Sequence, residues 1–151
     1  MIAYDARVSR DQDSGAVLAA NESFYAAFEK LDDDAMSLVW AGDAPVSCIH
    51  PRGDLIEGRE GVLASLQNIF RSTDAIRFDL VRARAFVAGD TAWVVLFERI
   101  ESRHGERTLR AETQATNVFV REGGAWKLVH HHAEPATAKG MNAPPAKGQM
   151  N

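Results

Sequence analysis

Residues 76–101 read IRFDLVRARAFVAGDTAWVVLFERIE, and the period of this stretch decides the fold. Ile76, Phe78 and Leu80 alternate with Arg77 and Asp79, the period of two that a strand with one covered face imposes. Beyond Leu80 the apolar set moves to Val81, Ala83, Ala85 and Val87, opposite Arg82 and Arg84. A strand cannot exchange its faces without an irregularity, so a bulge or strong bend is expected near Leu80-Val81. Gly89-Asp90 turns the chain. Thr91 to Glu101 then carries Trp93, Val94, Val95, Leu96 and Phe97 in a row, which calls for cover on both faces.

Downstream the same logic continues. His104-Gly105 is a tight turn, Leu109 to Arg121 a long strand, Glu122-Gly123-Gly124 a hairpin turn, and Trp126 to Ala133 the last strand. Upstream the period is helical. Asp13 or Ser14 is a suitable N-cap, and Val17, Ala20, Phe24, Ala27, Phe28 and Leu31 follow at spacings of three and four. The acidic run Asp32-Asp33-Asp34 can end this helix and cap a short second one that stops at Gly42. Val46 to His50 is a short strand, Pro51-Arg52-Gly53-Asp54 a turn, and Leu55 to Glu57 the hairpin partner. Gly58 opens a third helix with Val62, Leu63, Leu66, Ile69 and Phe70 on one side.

Helices first and an antiparallel meander afterwards mean α+β, a curved antiparallel sheet wrapped around a long N-terminal helix as a cone with one open end. Residues 13–135 form the single domain, 1–12 a flexible N-terminus, and 136–151 a tail rich in Ala, Pro and Lys. A chain of 151 residues carrying 46% hydrophobic and 25% charged residues can bury a core of its own. The net charge of −4 argues against a nucleic-acid-binding domain and a polybasic membrane surface. No apolar run is long enough to span a bilayer, and residues 1–15 hold no apolar signal core, so the expected location is cytoplasmic. Cys48 is the one cysteine, which excludes an internal disulfide.

Four of the five histidines are His50, His130, His131 and His132. On a regular strand His130 and His132 share a face with Trp126 and Leu128, while His131 points the other way with Lys127 and Val129. The pair is either a pocket acid–base group or a set of structural histidines bonding neighbouring loops. With His50 and Glu98 the same pair has the donor types of a metal site, but nothing in the spacing demands one, and none is assigned. Arg52 sits beside the expected pocket mouth, placed to hold an anion or simply solvated. Tyr25, Trp40 and Phe97 are spaced to line a pocket or fill a core. Asn117 shares a face with Ala115 and Phe119 and will need a partner if that face is inward. Cys48 reads as a buried, inert thiol.

Phe24 to Pro135 resembles the SnoaL-like branch of the nuclear transport factor 2-like superfamily. The likeness rests on Trp40, the segment VSCIHPRGDLIEG, the strand GDTAWVVLFE and the terminal ATNVFVREGGAWKLVHHHAEP. It implies a cystatin-like cone that needs no cofactor. The expected function is a small-molecule pocket, either a plain binder or a cofactor-free acid–base enzyme with lyase, isomerase or cyclase chemistry on a small carboxylate- or ketone-bearing substrate. In that frame His130 or His132 is the catalytic acid–base group, Asn117 orients, His50 and Arg52 hold an anion, and Tyr25, Trp40 and Phe97 line the pocket. Two activities of the superfamily lack their residues. The strand Val46 to His50 has no carboxylate for a ketosteroid-isomerase base, and no Asp–Arg–Asp trio of an epoxide hydrolase can be assigned. The chain is also similar to the association domains of calcium/calmodulin-dependent kinases, which implies a non-catalytic oligomerisation module as the alternative. Either way the expected partner is a second copy, paired through the apolar sheet face left uncovered by the helices.

Overall fold

The computed structural model describes residues 6–144. Its elements in order are α1 (Ala6–Glu29), α2 (Asp33–Val39), β1 (Ser47–Ile49), β2 (Ile56–Glu57), α3 (Arg59–Arg71), β3 (Ala75–Ala88), β4 (Thr91–His104), β5 (Arg107–Glu122), β6 (Ala125–Pro135) and α4 (Ala138–Asn142). The six strands make one unclosed sheet in the order β2-β1-β6-β5-β4-β3. The expected α+β cone is therefore the observed fold. The pairing of β1 with β6 is parallel, with Cys48 beside His131, a long-range contact that local periodicity does not encode.

α1 starts earlier than its cap residues suggest. Asp13 does not cap the helix but sits inside it and pairs with Arg121 of β5 at 2.6 Å. Residues 6–12 contain no helix breaker, so the helix runs back beyond Asp13. Of the expected loose N-terminus, only residues 1–5 fall outside the described part. At the other end Leu31 takes φ 52°, the left-handed turn that stops α1, and the Asp32 side chain accepts from Ala35 N at 3.0 Å to start α2.

The core lies between α1 and the inner sheet face. Val17, Phe24 and Phe28 of α1 meet Val94, Leu96 and Phe119 from the strands, all buried. Burial of each large side chain contributes roughly 1.5–3 kcal/mol. The aromatic contacts are edge-on, with Phe24 and Trp40 centroids 6.2 Å apart and Phe28 and Phe78 5.0 Å apart.

Two bulges set which residues face this core. In β3 the register shifts between Val81 and Arg84, and Arg82 has φ 54°. This is the expected irregularity, and it returns Ala85 and Val87 to the inner face opposite Val94 and Ala92. In β6 the partner of Val118 is His130 and that of Phe119 is Leu128, so Val129 is an extra residue. Before it Trp126 and Leu128 face inward; after it His131 and Ala133 do, and all four are buried.

The outer face carries Trp93, Val95 and Phe97 from β4. Trp93 is 37% exposed and stacks on Phe86 at 5.6 Å. The segment expected as a loose tail crosses one end of this face. Met141 of α4 is buried, Arg99 donates to its sulfur at 3.3 Å, and Arg82 donates to the carbonyls of Met141 and Ala143. The rest of that segment, 145–151 with Met150, lies outside the described residues.

Candidate functional site

Inside the cone is a cavity of about 200 Å³ between α1, α3 and the strands. Phe24, Phe28, Phe78, Ile69, Ile76 and Ile100 give it apolar walls. Its polar lining includes His50, Glu98 and His131, with Ser102 and His104 also on the wall.

The inward placement of Glu98 follows from β4 alternation, because it continues the row Ala92, Val94, Leu96. Its carboxyl is 2% exposed. The Thr113 hydroxyl donates to its Oε1, and Tyr25 forms a second hydrogen bond with it. Burial raises the Glu98 pKa, and these two hydrogen bonds only partly offset that. Burial and the neighbouring Glu98 together push the Tyr25 phenol well above its ordinary value.

His131 is 4% exposed and its ring lies 4.9 Å from that of Phe24. Its Nδ1 is 2.5 Å from Asn117 Oδ1. The Asn117 amide is oriented by two acceptors, since its Nδ2 donates to Asn21 Oδ1 at 2.8 Å and to the Tyr25 oxygen at 3.0 Å. Asn117 Oδ1 is therefore the acceptor, His131 carries its proton on Nδ1, and Nε2 holds the lone pair. Burial pushes the His131 pKa down to about 3, so the ring is neutral at physiological pH. The hydrogen bonds run in one direction, from His131 through Asn117 and Tyr25 to Glu98. Two groups on the cavity wall are thus joined by a buried relay behind it.

His50 completes the polar wall. Ser65 donates its hydroxyl to Val62 O at 2.7 Å and so accepts from His50 Nε2 at 2.9 Å. Burial lowers the His50 pKa and raises that of Cys48 to about 12, which keeps that thiol protonated and unreactive.

The sequence-based site residues separate into five places. His50 lines the cavity. Tyr25 and Asn117 stand in the relay behind its wall. Trp40 is a core residue bridged to Leu128. Arg52 lies on an exposed turn with φ 61° and does not line the cavity. His130, His132 and Phe97 are on the opposite sheet face. His130 bonds Ser47 Oγ at 2.7 Å, His132 bonds Glu134 at 2.9 Å, and Phe97 lies under the Arg82 guanidinium. The β6 bulge is the reason for the exchange, because it makes His131 the inward histidine. There His132 and Phe97 line a groove of about 360 Å³ with Arg82, Arg84 and Glu134. Sequence reasoning assigned no role in this pocket to Asn21, Thr113, His131 or Glu98. For Glu98 the signal was present, a carboxylate at an inward position of an apolar strand. For the other three no local signal exists.

This cone and its polar-floored cavity define a protein of the nuclear transport factor 2-like fold. The SnoaL-like domain model matches residues 17–137, and the chain belongs to that family. It is 39% identical to a proposed dehydratase of the nuclear transport factor 2-like family from Streptomyces avermitilis, covering 85% of this chain and 99% of that one with a TM-score of 0.81. It is 34% identical to a proposed calcium/calmodulin-dependent protein kinase type II association domain from Thiobacillus denitrificans, covering 79% and 94% with a TM-score of 0.68. The F-box protein SKIP8 of Arabidopsis thaliana is 29% identical over 118 residues, 78% of this chain and 48% of that protein, so the chain spans about half the length of that relative. Among the described residues no helix is long and apolar enough to cross a membrane.

Proposed function

We propose that this protein binds a small organic molecule in the cone cavity and moves a proton on it without a cofactor, in lyase, isomerase or cyclase chemistry. The observation that carries this reading is the pair Glu98 and His131, two cavity groups of opposed character joined by the Asn117–Tyr25 relay. A carboxyl whose pKa is raised by burial sits nearer working pH and can pass a proton in either direction. A neutral imidazole with its lone pair on Nε2 accepts a hydrogen bond from the substrate and fixes its orientation. The catalytic role thus moves from His130 and His132 to Glu98, with His131 and His50 as substrate-binding groups. Similarity to a proposed dehydratase supports the lyase branch.

The test is proton exchange. A screened ligand held in deuterated buffer exchanges a carbon-bound proton with solvent when the protein is present. Exchange is abolished in Glu98→Gln while the ligand still binds. Ligands that bind but never exchange in the parent protein leave a binder and remove the enzyme.

One observation favours self-association as well. The outer face keeps Trp93, Phe86 and Val95 beside an unclosed sheet, and a relative of this chain is a proposed association domain. We propose a homodimer paired through that face, in the cytoplasm, with the cavity opening on the other side. Sedimentation equilibrium at micromolar concentration tests it: the parent is dimeric and Trp93→Glu monomeric. A parent that sediments as a monomer ends both this pairing and the association-module alternative.

A further inference from the structure

The polar hydrogens of the histidines and hydroxyls on the cavity wall are all committed elsewhere. His131 gives its Nδ1 proton to Asn117, and His50 gives its Nε2 proton to Ser65. The Thr73 hydroxyl donates to Ile69 O at 2.6 Å. His104 donates from Nδ1 to Ser72 O at 2.7 Å, so its Nε2 accepts from the Ser102 hydroxyl at 2.9 Å. What remains open toward the cavity is a set of acceptors: His131 Nε2 and the Glu98 carboxyl, with the His50 lone pair shared with the weak thiol donor of Cys48 3.8 Å away. Among the described residues no Lys or Arg lines the cavity.

A buried acceptor that finds no donor costs roughly 1–3 kcal/mol. A carboxylate brought here would face Glu98 with no cation to compensate, which burial makes costlier still. The walls supply shape. Cavities of about 150 Å³ lined by Leu, Ile and Phe take benzene, so the volume of about 200 Å³ suits one substituted ring among Phe24, Phe28 and Phe78.

We propose that the ligand of this cavity is an uncharged ring compound bearing hydroxyl groups, which donate to His131 Nε2 and to Glu98, and that carboxylates are excluded. This rests on the cavity being the functional site, as argued above. It also replaces the carboxylate- or ketone-bearing substrate expected from the sequence.

Four one-ring probes decide it: phenol, anisole, acetophenone and benzoate, titrated into the full chain with the His131 ring resonances as the readout. Phenol shifts those resonances and binds about tenfold tighter than anisole, the equivalent of one hydrogen bond; benzoate leaves them unmoved. The free protein shows the His131 proton on Nδ1. Glu98→Gln places an amide donor in the cavity and turns the preference toward acetophenone. Acetophenone or benzoate shifting His131 at lower concentration than phenol overturns the hydroxyl class but keeps the pocket. Silence from all four probes at millimolar concentration overturns the class and the pocket together. An unchanged phenol-to-acetophenone ratio in a folded Glu98→Gln removes Glu98 as the acceptor and overturns the proposal.

Discussion

His131 and His132 are neighbours on β6, yet they live in different solvents. His131 is held by Asn117 in a buried relay, its pKa pushed to about 3 by burial. His132 pairs with Glu134 on the outer face, with both side chains about 40% exposed. On the inner face the relay groups bind one another away from bulk solvent. The outer face shares its polar groups with solvent, and what it concentrates instead is apolar surface. Chemistry that needs a shifted pKa belongs inside, and association belongs outside.

The largest effect expected from this contrast is at Asn117. Asn117→Ala leaves the His131 Nδ1 proton, the Tyr25 oxygen and Asn21 Oδ1, all buried, without their partner. The loss is about 3–5 kcal/mol by denaturant unfolding, since each orphaned group costs roughly 1–3 kcal/mol. A variant as stable as the parent would show that the relay contributes nothing to the fold.

Acid comes next. His131 has a folded pKa near 3 against an ordinary 6.5, so between these values the native state holds fewer protons than the unfolded chain. Its contribution is complete above pH 6.5 and is lost as pH falls toward 3. From this group alone the loss is roughly 3 kcal/mol by pH 4, at about 1.4 kcal/mol per pH unit. His131→Gln should flatten that limb of the stability–pH curve. An equally steep limb in the variant would assign the acid sensitivity to other groups.

Glu98 acts with the opposite sign. Its raised pKa means that the native state holds more protons than the unfolded chain above pH 4.5, so its contribution is lost as pH rises through the folded value. Glu98→Gln removes the titrating group, so the variant should gain on the parent as pH rises above 4.5, with no gain at pH 4. A carboxylate kept at a cost to stability is what a functional group looks like. A variant less stable than the parent at pH 8 would make Glu98 a structural residue.

Much of this was legible in the sequence, and the part that was not has two causes. Alternation along residues 76–101 gave the strands, and the exchange of faces after Leu80 announced the β3 bulge because both halves of that strand alternate cleanly. The β6 bulge gave no such sign. Trp126, Leu128 and the run His130-His131-His132 fit an unbroken period of two as well as a broken one, so the inward histidine came out one position off. Every assignment made on that register, including the pocket reading of His132, inherited the slip. Asn21 and Thr113 were invisible for another reason, since each acquires its role from a partner more than a dozen residues away. Tyr25 and Asn117 were recognisable as polar groups on inward elements that would need partners, though the partner itself could not be named.

The smallest effect is expected at His132, and it separates the two faces most directly. The His132–Glu134 pair is half exposed, and such pairs contribute about 0–1 kcal/mol. His132→Ala should therefore change stability by less than about 0.5 kcal/mol, as surface substitutions do. It should leave the binding of any cavity ligand untouched, because the backbone of β6 holds His131 on the other side of the sheet. The outer groove shared by Arg82, Phe97 and His132 is the rival location for a ligand, and it is the larger of the two spaces. Its floor is a sheet face that the proposed partner copy would cover, and His132 bonds Glu134, so neither is set aside for a guest. Calorimetry on the parent, His132→Ala and Glu98→Gln with one common ligand compares the two sites in a single series. Binding lost in His132→Ala would move the site to the outer face, and the roles assigned to Glu98 and His131 would fall with it.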